Sequence, residues 1–194
     1  SSAASDVYKR QVLNDGYYDD AVEKLGDHTP SGGLRGGKYS LFEAGTKVPF
    51  ISYWRGKINP GVSNELISQV DLLNSISSII GSEFKSNDGI DLSDLLLRNK
   101  GKGRDHLVVE ASTRTAFRKG DWVIIPPYDA PALNKNVNIE LGNSNNFQLY
   151  NLEDDPSQKN NLAKIEKEKL KEIYNEFLKI RGDNFSNIES LILE

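Results

Sequence analysis

The chain has 194 residues, of which 27% are charged, and a formal net charge of -4; that balance argues against nucleic-acid binding, which needs a basic face. It has no cysteine and two histidines, His28 and His106, which excludes disulfides, thiolate metal sites and a cysteine nucleophile and leaves little for a histidine-rich metal centre. No stretch approaches the ~18–20 apolar residues of a membrane span, and the opening segment lacks the apolar core of a secretory signal.

Residues 1–11, small and polar and then mixed, show no period and read as a frayed or unrelated end. Asp19 to Leu25 carries acidic residues first and then Ala21, Val22 and Leu25 at helical spacing, which predicts a short helix. Thr29 to Gly37 is a loop, since glycine and proline interrupt both regular periods. Val48 to Trp54, rich in β-branched and aromatic residues, predicts a buried strand with Pro49 near its start. Asn59-Pro60-Gly61 is a turn. From Ser63 to Ile80, Leu66, Ile67, Val70, Leu73, Ile76, Ile79 and Ile80 recur every three or four residues, which predicts one amphipathic helix ending at Gly81.

Asp91 to Leu97 predicts another short helix. Four strands follow: His106 to Ala111, Thr115 to Arg118, Trp122 to Pro126 and Phe147 to Asn151, with Gly120-Asp121 as a hairpin turn. A closing helix from Ala163 to about Ile180 carries an apolar stripe of Ile165, Leu170, Ile173, Tyr174, Phe177 and Leu178. Strands followed by a packed terminal helix suggest an α+β unit.

The segment most suited to chemistry is Gly32 to Gly45. Gly36 and Gly37 allow a sharp turn and a close approach to a ligand, and Lys38 directly after them presents a compact cation to an anion such as sulfate or phosphate. Composition alone favours a plain surface turn with a solvated lysine. Asn14-Asp15-Gly16 has the texture of a turn. His28 lies in a polar loop before the lysine, as a surface histidine or a donor to a substrate. His106 starts a strand and reads as structural. Arg114 and Arg118 sit on strands, where a solvated face explains them more simply than an anionic glycan does.

Ordered motifs run from residue 12 to residue 181. Leu34-Arg35-Gly36-Gly37-Lys38 is followed by Glu43-Ala44-Gly45-Thr46-Lys47-Val48-Pro49, then Trp54-Arg55-Gly56-Lys57-Ile58, Asp88-Gly89, Gln148-Leu149-Tyr150-Asn151-Leu152 with Asp155-Pro156, and Asn160-Asn161-Leu162-Ala163. The series resembles the downstream half of the sulfatase family, within the alkaline phosphatase superfamily. Ala44, Lys47 and Arg55 depart from that family's more common glycine, arginine and proline, and a lysine at 47 lacks the planar fork of arginine.

The resemblance implies an α/β fold represented by its C-terminal part, with a small antiparallel sheet and a C-terminal helix, α+β within this chain. Residues 12–100 would close the catalytic α/β domain and residues 101–194 would form a small subdomain. Lys38 takes the position of the family's sulfate-contacting lysine, and His28 and Arg35 are candidate substrate contacts. Family members use calcium and a formylglycine made within Cys/Ser-x-Pro/Ala-x-Arg; that motif and most calcium ligands are missing from this sequence, so no nucleophile is assigned. The resemblance further implies a sulfated small molecule or glycan as substrate, a missing N-terminal half as partner, and a periplasmic or secreted location. A phosphoesterase of the same superfamily and a non-catalytic, glycan-binding domain are the alternatives.

Overall fold

The computed structural model describes residues 31–135 and 139–182; the expectations for residues 1–11, Asn14-Asp15-Gly16, Asp19 to Leu25 and His28 lie outside them. In chain order the elements are α1 (Glu43–Thr46), α2 (Asp71–Ile79), α3 (Ser93–Arg98), β1 (His106–Ala111), β2 (Arg114–Lys119), β3 (Trp122–Ile125), β4 (Leu133–Asn134), β5 (Ile139–Glu140), β6 (Gln148–Asn151) and α4 (Lys167–Arg181).

The predicted strands pair as an antiparallel sheet of order β1-β2-β3-β6, with Phe117 opposite Ile124 and Ile124 opposite Leu149. Gly120 adopts φ +55° between β2 and β3, as a tight connection requires. Because side chains alternate along a strand, each strand feeds both faces. One face gives Phe117, Ile124 and Leu149 to a core completed by Ile173 and Phe177 of α4. The Phe117 and Phe177 rings stack at 5.5 Å. The opposite face gives Ala116, Val123, Ile125 and Tyr150 to a second core, completed by Leu41 and Phe42 from the segment that carries Lys38. The sheet is therefore roofed on one side by a helix and on the other by the candidate loop.

Three elements differ from the sequence pattern. Val48 to Trp54 forms no strand: Ile51 and Tyr53 are 88% and 83% exposed, and no strand among the described residues pairs with the segment. Its composition suits burial, but an extended chain becomes a strand only beside a hydrogen-bonding neighbour. The long helix from Ser63 is cut to α2. The Leu66 carbonyl is occupied by the Arg104 N–H at 2.6 Å, and the Ser68 N–H donates to Asp71 Oδ2 at 2.9 Å, closing a turn that starts the helix at Asp71. The terminal helix starts at Lys167, because residues before it are stitched to β6 through Leu162 N–H to Leu149 O at 2.8 Å. Ile165 consequently stands exposed rather than in the stripe.

α2 also faces opposite to its apolar pattern. Its buried residues are Asp71, Asn74, Ser75 and Ser77, whereas Val70, Leu73, Ile76 and Ile80 are exposed. The polar face satisfies backbone groups of the irregular stretch after the helix, which has no ladder of its own. Ser77 Oγ donates to Phe84 O at 2.7 Å, and Ser75 Oγ accepts the Leu92 N–H at 2.9 Å. Asp71 accepts the Ile90 N–H and is gripped by Arg104.

Candidate functional site

The loop from Leu34 to Lys47 is built on glycines with specific tasks. Gly36 has φ +84°, and a Cβ there would lie 2.3 Å from Ser40 Oγ. A Cβ on Gly45 would lie 2.0 Å from the Ser40 carbonyl oxygen, so the two ends of the loop touch through glycine alone. Within that closure the Ser40 N–H donates to Gly37 O at 2.9 Å and the Ala44 N–H to Arg35 O at 3.0 Å. Tyr39 at the apex has φ +72°, an uncommon value for a residue with a Cβ.

Lys38 is half-buried, and its Nζ stands 5.2 Å from the centroid of the Tyr39 ring, within cation–π range. Among the described residues no carboxylate pairs with it. The neighbouring cations are committed. Arg35 Nε and Nη2 donate to the two carboxylate oxygens of Glu140, each at 2.8 Å. Its Nη1 donates to Gln158 O at 2.7 Å, and the guanidinium lies 4.1 Å over the Phe42 ring. The bonds to Glu140 raise Arg35 above its ordinary pKa, and the same bonds hold the Glu140 carboxyl below the usual carboxylate range. Burial pushes the nearby Tyr150 phenol up, although Arg35 opposes it.

Arg114 and Arg118 are not on a solvated face, as their strand positions had suggested. With Ala116 between them they lie on the loop-facing side of β2. Arg118 Nη1 meets Glu43 Oε2 at 3.1 Å, and Arg114 Nη2 donates to Tyr39 O at 3.3 Å while its Nη1 bonds Asn143. Glu43 is itself buried, and its N–H donates to Gln158 Oε1 at 2.7 Å. Gln158 is fully buried with φ +50°, and its Nε2 has no partner among the described residues. His106 is a strand residue 5.7 Å from the Phe117 ring, away from the loop. His28 lies outside the described residues.

Sequence inspection missed Glu140 and Gln158. A strand signal was present around Glu140, where Val137, Ile139 and Leu141 alternate with polar residues; Gln158 carries no such signal, since its role follows from burial. Among the described residues no group of three or more His, Asp or Glu is placed to hold a metal ion.

The sulfatase family model matches residues 14–82. An N-acetylgalactosamine-6-O-sulfatase of Bacteroides thetaiotaomicron is 41% identical over 166 residues, covering 84% of this chain and 32% of its own length. An ulvan-active sulfatase of Formosa agariphila is 29% identical over 77% of this chain and 36% of its own length. A solved sulfatase structure from work on metabolism of multiple glycosaminoglycans by B. thetaiotaomicron superposes with a TM-score of 0.78 at 37% identity, over 85% of this chain and 35% of that one. The chain thus spans about a third of the length of these relatives, and the part that superposes includes the small antiparallel sheet and the C-terminal helix. Motif, fold and likeness converge: the chain belongs to the sulfatase family.

Proposed function

We propose that this chain is the C-terminal portion of a sulfatase acting on a sulfated polysaccharide, and that Lys38 is its sulfate contact. The reaction adds water across the S–O bond of the ester and yields an alcohol and sulfate. An ammonium held against the sulfuryl oxygens offsets the charge that they carry as that bond breaks. The observation that carries the reading is the state of Lys38: a half-buried cation on a glycine turn, without an acidic partner among the described residues, beside arginines that are all engaged by protein acceptors. Arg35, with both edges of its fork committed, fits a structural role better than the substrate contact expected of it.

The reading assigns to this chain the sulfate contact and the frame that holds it, and nothing of the attack on sulfur. Nucleophile and calcium ligands would come from the part of the relatives' length that this chain does not span. The exposed Leu73 and Ile76 of α2 and Val70 and Ile80 at its two ends, with the exposed Ile51 and Tyr53, support this, since a set of that size is ordinarily covered. On this view residues 12–100 close the catalytic domain and residues 101–194 form the subdomain behind Lys38. A glycan substrate is supported by the activities named for the two relatives.

Titration of the chain with inorganic sulfate, followed by NMR, tests the contact: shifts centred on Lys38, Tyr39 and Ser40 are expected, and Lys38→Ala should abolish them. Equal binding by the Ala variant, or no response at Lys38 in the parent chain, would refute it. The pure chain should not release sulfate from an aryl sulfate. Calcium-dependent turnover would show that the attacking group lies within it.

A further inference from the structure

The small ribbon of β4 and β5 touches the Lys38 loop on both sides of the lysine. Before it, Glu140 of β5 takes the Nε–Nη2 edge of Arg35 with both its oxygens, and Gly37 sits so close to Ile139 that a Cβ would lie 3.0 Å from Cδ1. After it, the Leu41 N–H donates to Leu141 O at 3.0 Å. Residues 139–141 thus bracket the turn at positions 35, 37 and 41, and the Lys38 side chain is left out of the bracket.

We infer that Arg35 and Glu140 are a positioning pair, which fixes the backbone beneath Lys38 so that its ammonium meets the anion at a set height. The inference rests on the reading of Lys38 as the sulfate contact. Arg35 is suited to the task because its planar fork takes a carboxylate at two points, so the pair resists rotation as well as separation. Its stacking on Phe42 and its third bond to the Gln158 carbonyl fix the remaining direction. The arrangement also has a charge logic. Glu140 neutralises a guanidinium three residues from the lysine, so an incoming anion is drawn to Lys38 rather than shared between two cations.

The test uses the full 194-residue chain, reductively methylated with 13C so that each lysine reports its own resonance. Glu140→Gln removes the charge from the more exposed member of the pair, and Arg35→Lys keeps a charge while losing the fork. Both variants should speed hydrogen exchange at the Leu41 and Ala44 amides about tenfold, shift the Lys38 resonance and weaken inorganic sulfate several-fold, with β2 and β3 amides unchanged. Glu140→Asp should fall between parent and Gln variant. Exchange and the Lys38 resonance at parent values in Glu140→Gln would overturn the inference, and so would faster exchange spread equally into β2 and β3, which marks a merely structural bond. Loop loosening confined to residues 37–45, in a chain that binds no sulfate, would sustain the positioning role while refuting the sulfate contact. Should Arg35→Lys fail to fold, Glu140→Gln alone decides.

Discussion

Glu43 and Arg118 meet at 3.1 Å, between the first turn of α1 and the end of β2, with side chains only 10% and 19% exposed. The ion pair fastens the end of the Lys38 loop to the sheet beneath it. Because both groups have left bulk water, neither tolerates the loss of the other. Arg118→Met should cost about 2–4 kcal/mol in urea unfolding, since it strands the Glu43 carboxylate under the loop. The double variant Glu43→Leu with Arg118→Met should recover at least half of that loss, because no orphaned charge remains.

Gly45 faces a stricter demand. A side chain there would meet the Ser40 carbonyl at 2.0 Å, and backbone cannot step aside as a flexible side chain does. Gly45→Ala should lower stability by about 3 kcal/mol or more and loosen the loop as a whole. Gly101→Ala is the contrast: Gly101 has φ +97°, which Gly45 does not share, but open space around it, and the change should cost about 1 kcal/mol by thermal unfolding.

Asp71 predicts how the helical region responds to acid. Burial alone would push its carboxyl up, but the Arg104 bonds and the amides of Ile90 and Ser68 prevail and hold it below the ordinary aspartate value. The folded pKa is depressed, so the stabilisation is complete above the unfolded value near ~3.9 and is lost as pH falls through the folded one. Asp71→Asn should reduce stability at neutral pH and flatten the acid limb of a pH–stability profile. A profile in the Asn variant as steep below pH ~4 as in the parent would assign the limb to other carboxylates.

The apolar side of α2 should behave as surface in the isolated chain. Leu73→Ser and Ile76→Ser, each at a side chain 52% exposed, should change urea stability by less than about 0.5 kcal/mol. Both should reduce self-association in light scattering, because they break up the exposed stripe. A large stability loss would mean that the helix packs on something within the chain.

Much of the fold was legible because the strands after residue 105 combine β-branched and aromatic residues with glycine turns; β1 was bounded to the residue, and β2, β3 and β6 to within one or two. The helix pattern before them misled for a physical reason. Leu66, Ile67 and Val70 keep a helical period, but the Leu66 carbonyl is claimed by the Arg104 N–H from 38 positions downstream, which no local spacing reveals. Val48 to Trp54 likewise encodes burial without a partner among the described residues. At the candidate site the glycines and Lys38 stood out in the sequence, while Glu140 and Gln158 did not and Arg118 was read as part of a solvated face, since each acts through a distant contact. The match of Arg35 to Glu140 is a property of tertiary structure alone.

Leu41 and Phe42 are enclosed about as deeply as Ala116, Val123 and Tyr150 of the strands beneath them. A segment so rooted cannot swing open as a flap without baring one whole side of the sheet to water. Adjustments at the lysine are therefore confined to rotations of its own side chain, on the picosecond-to-nanosecond scale, while the peptide units around it stay put. Ligand exchange here would be gated by whatever approaches from outside, and not by breathing of the turn itself.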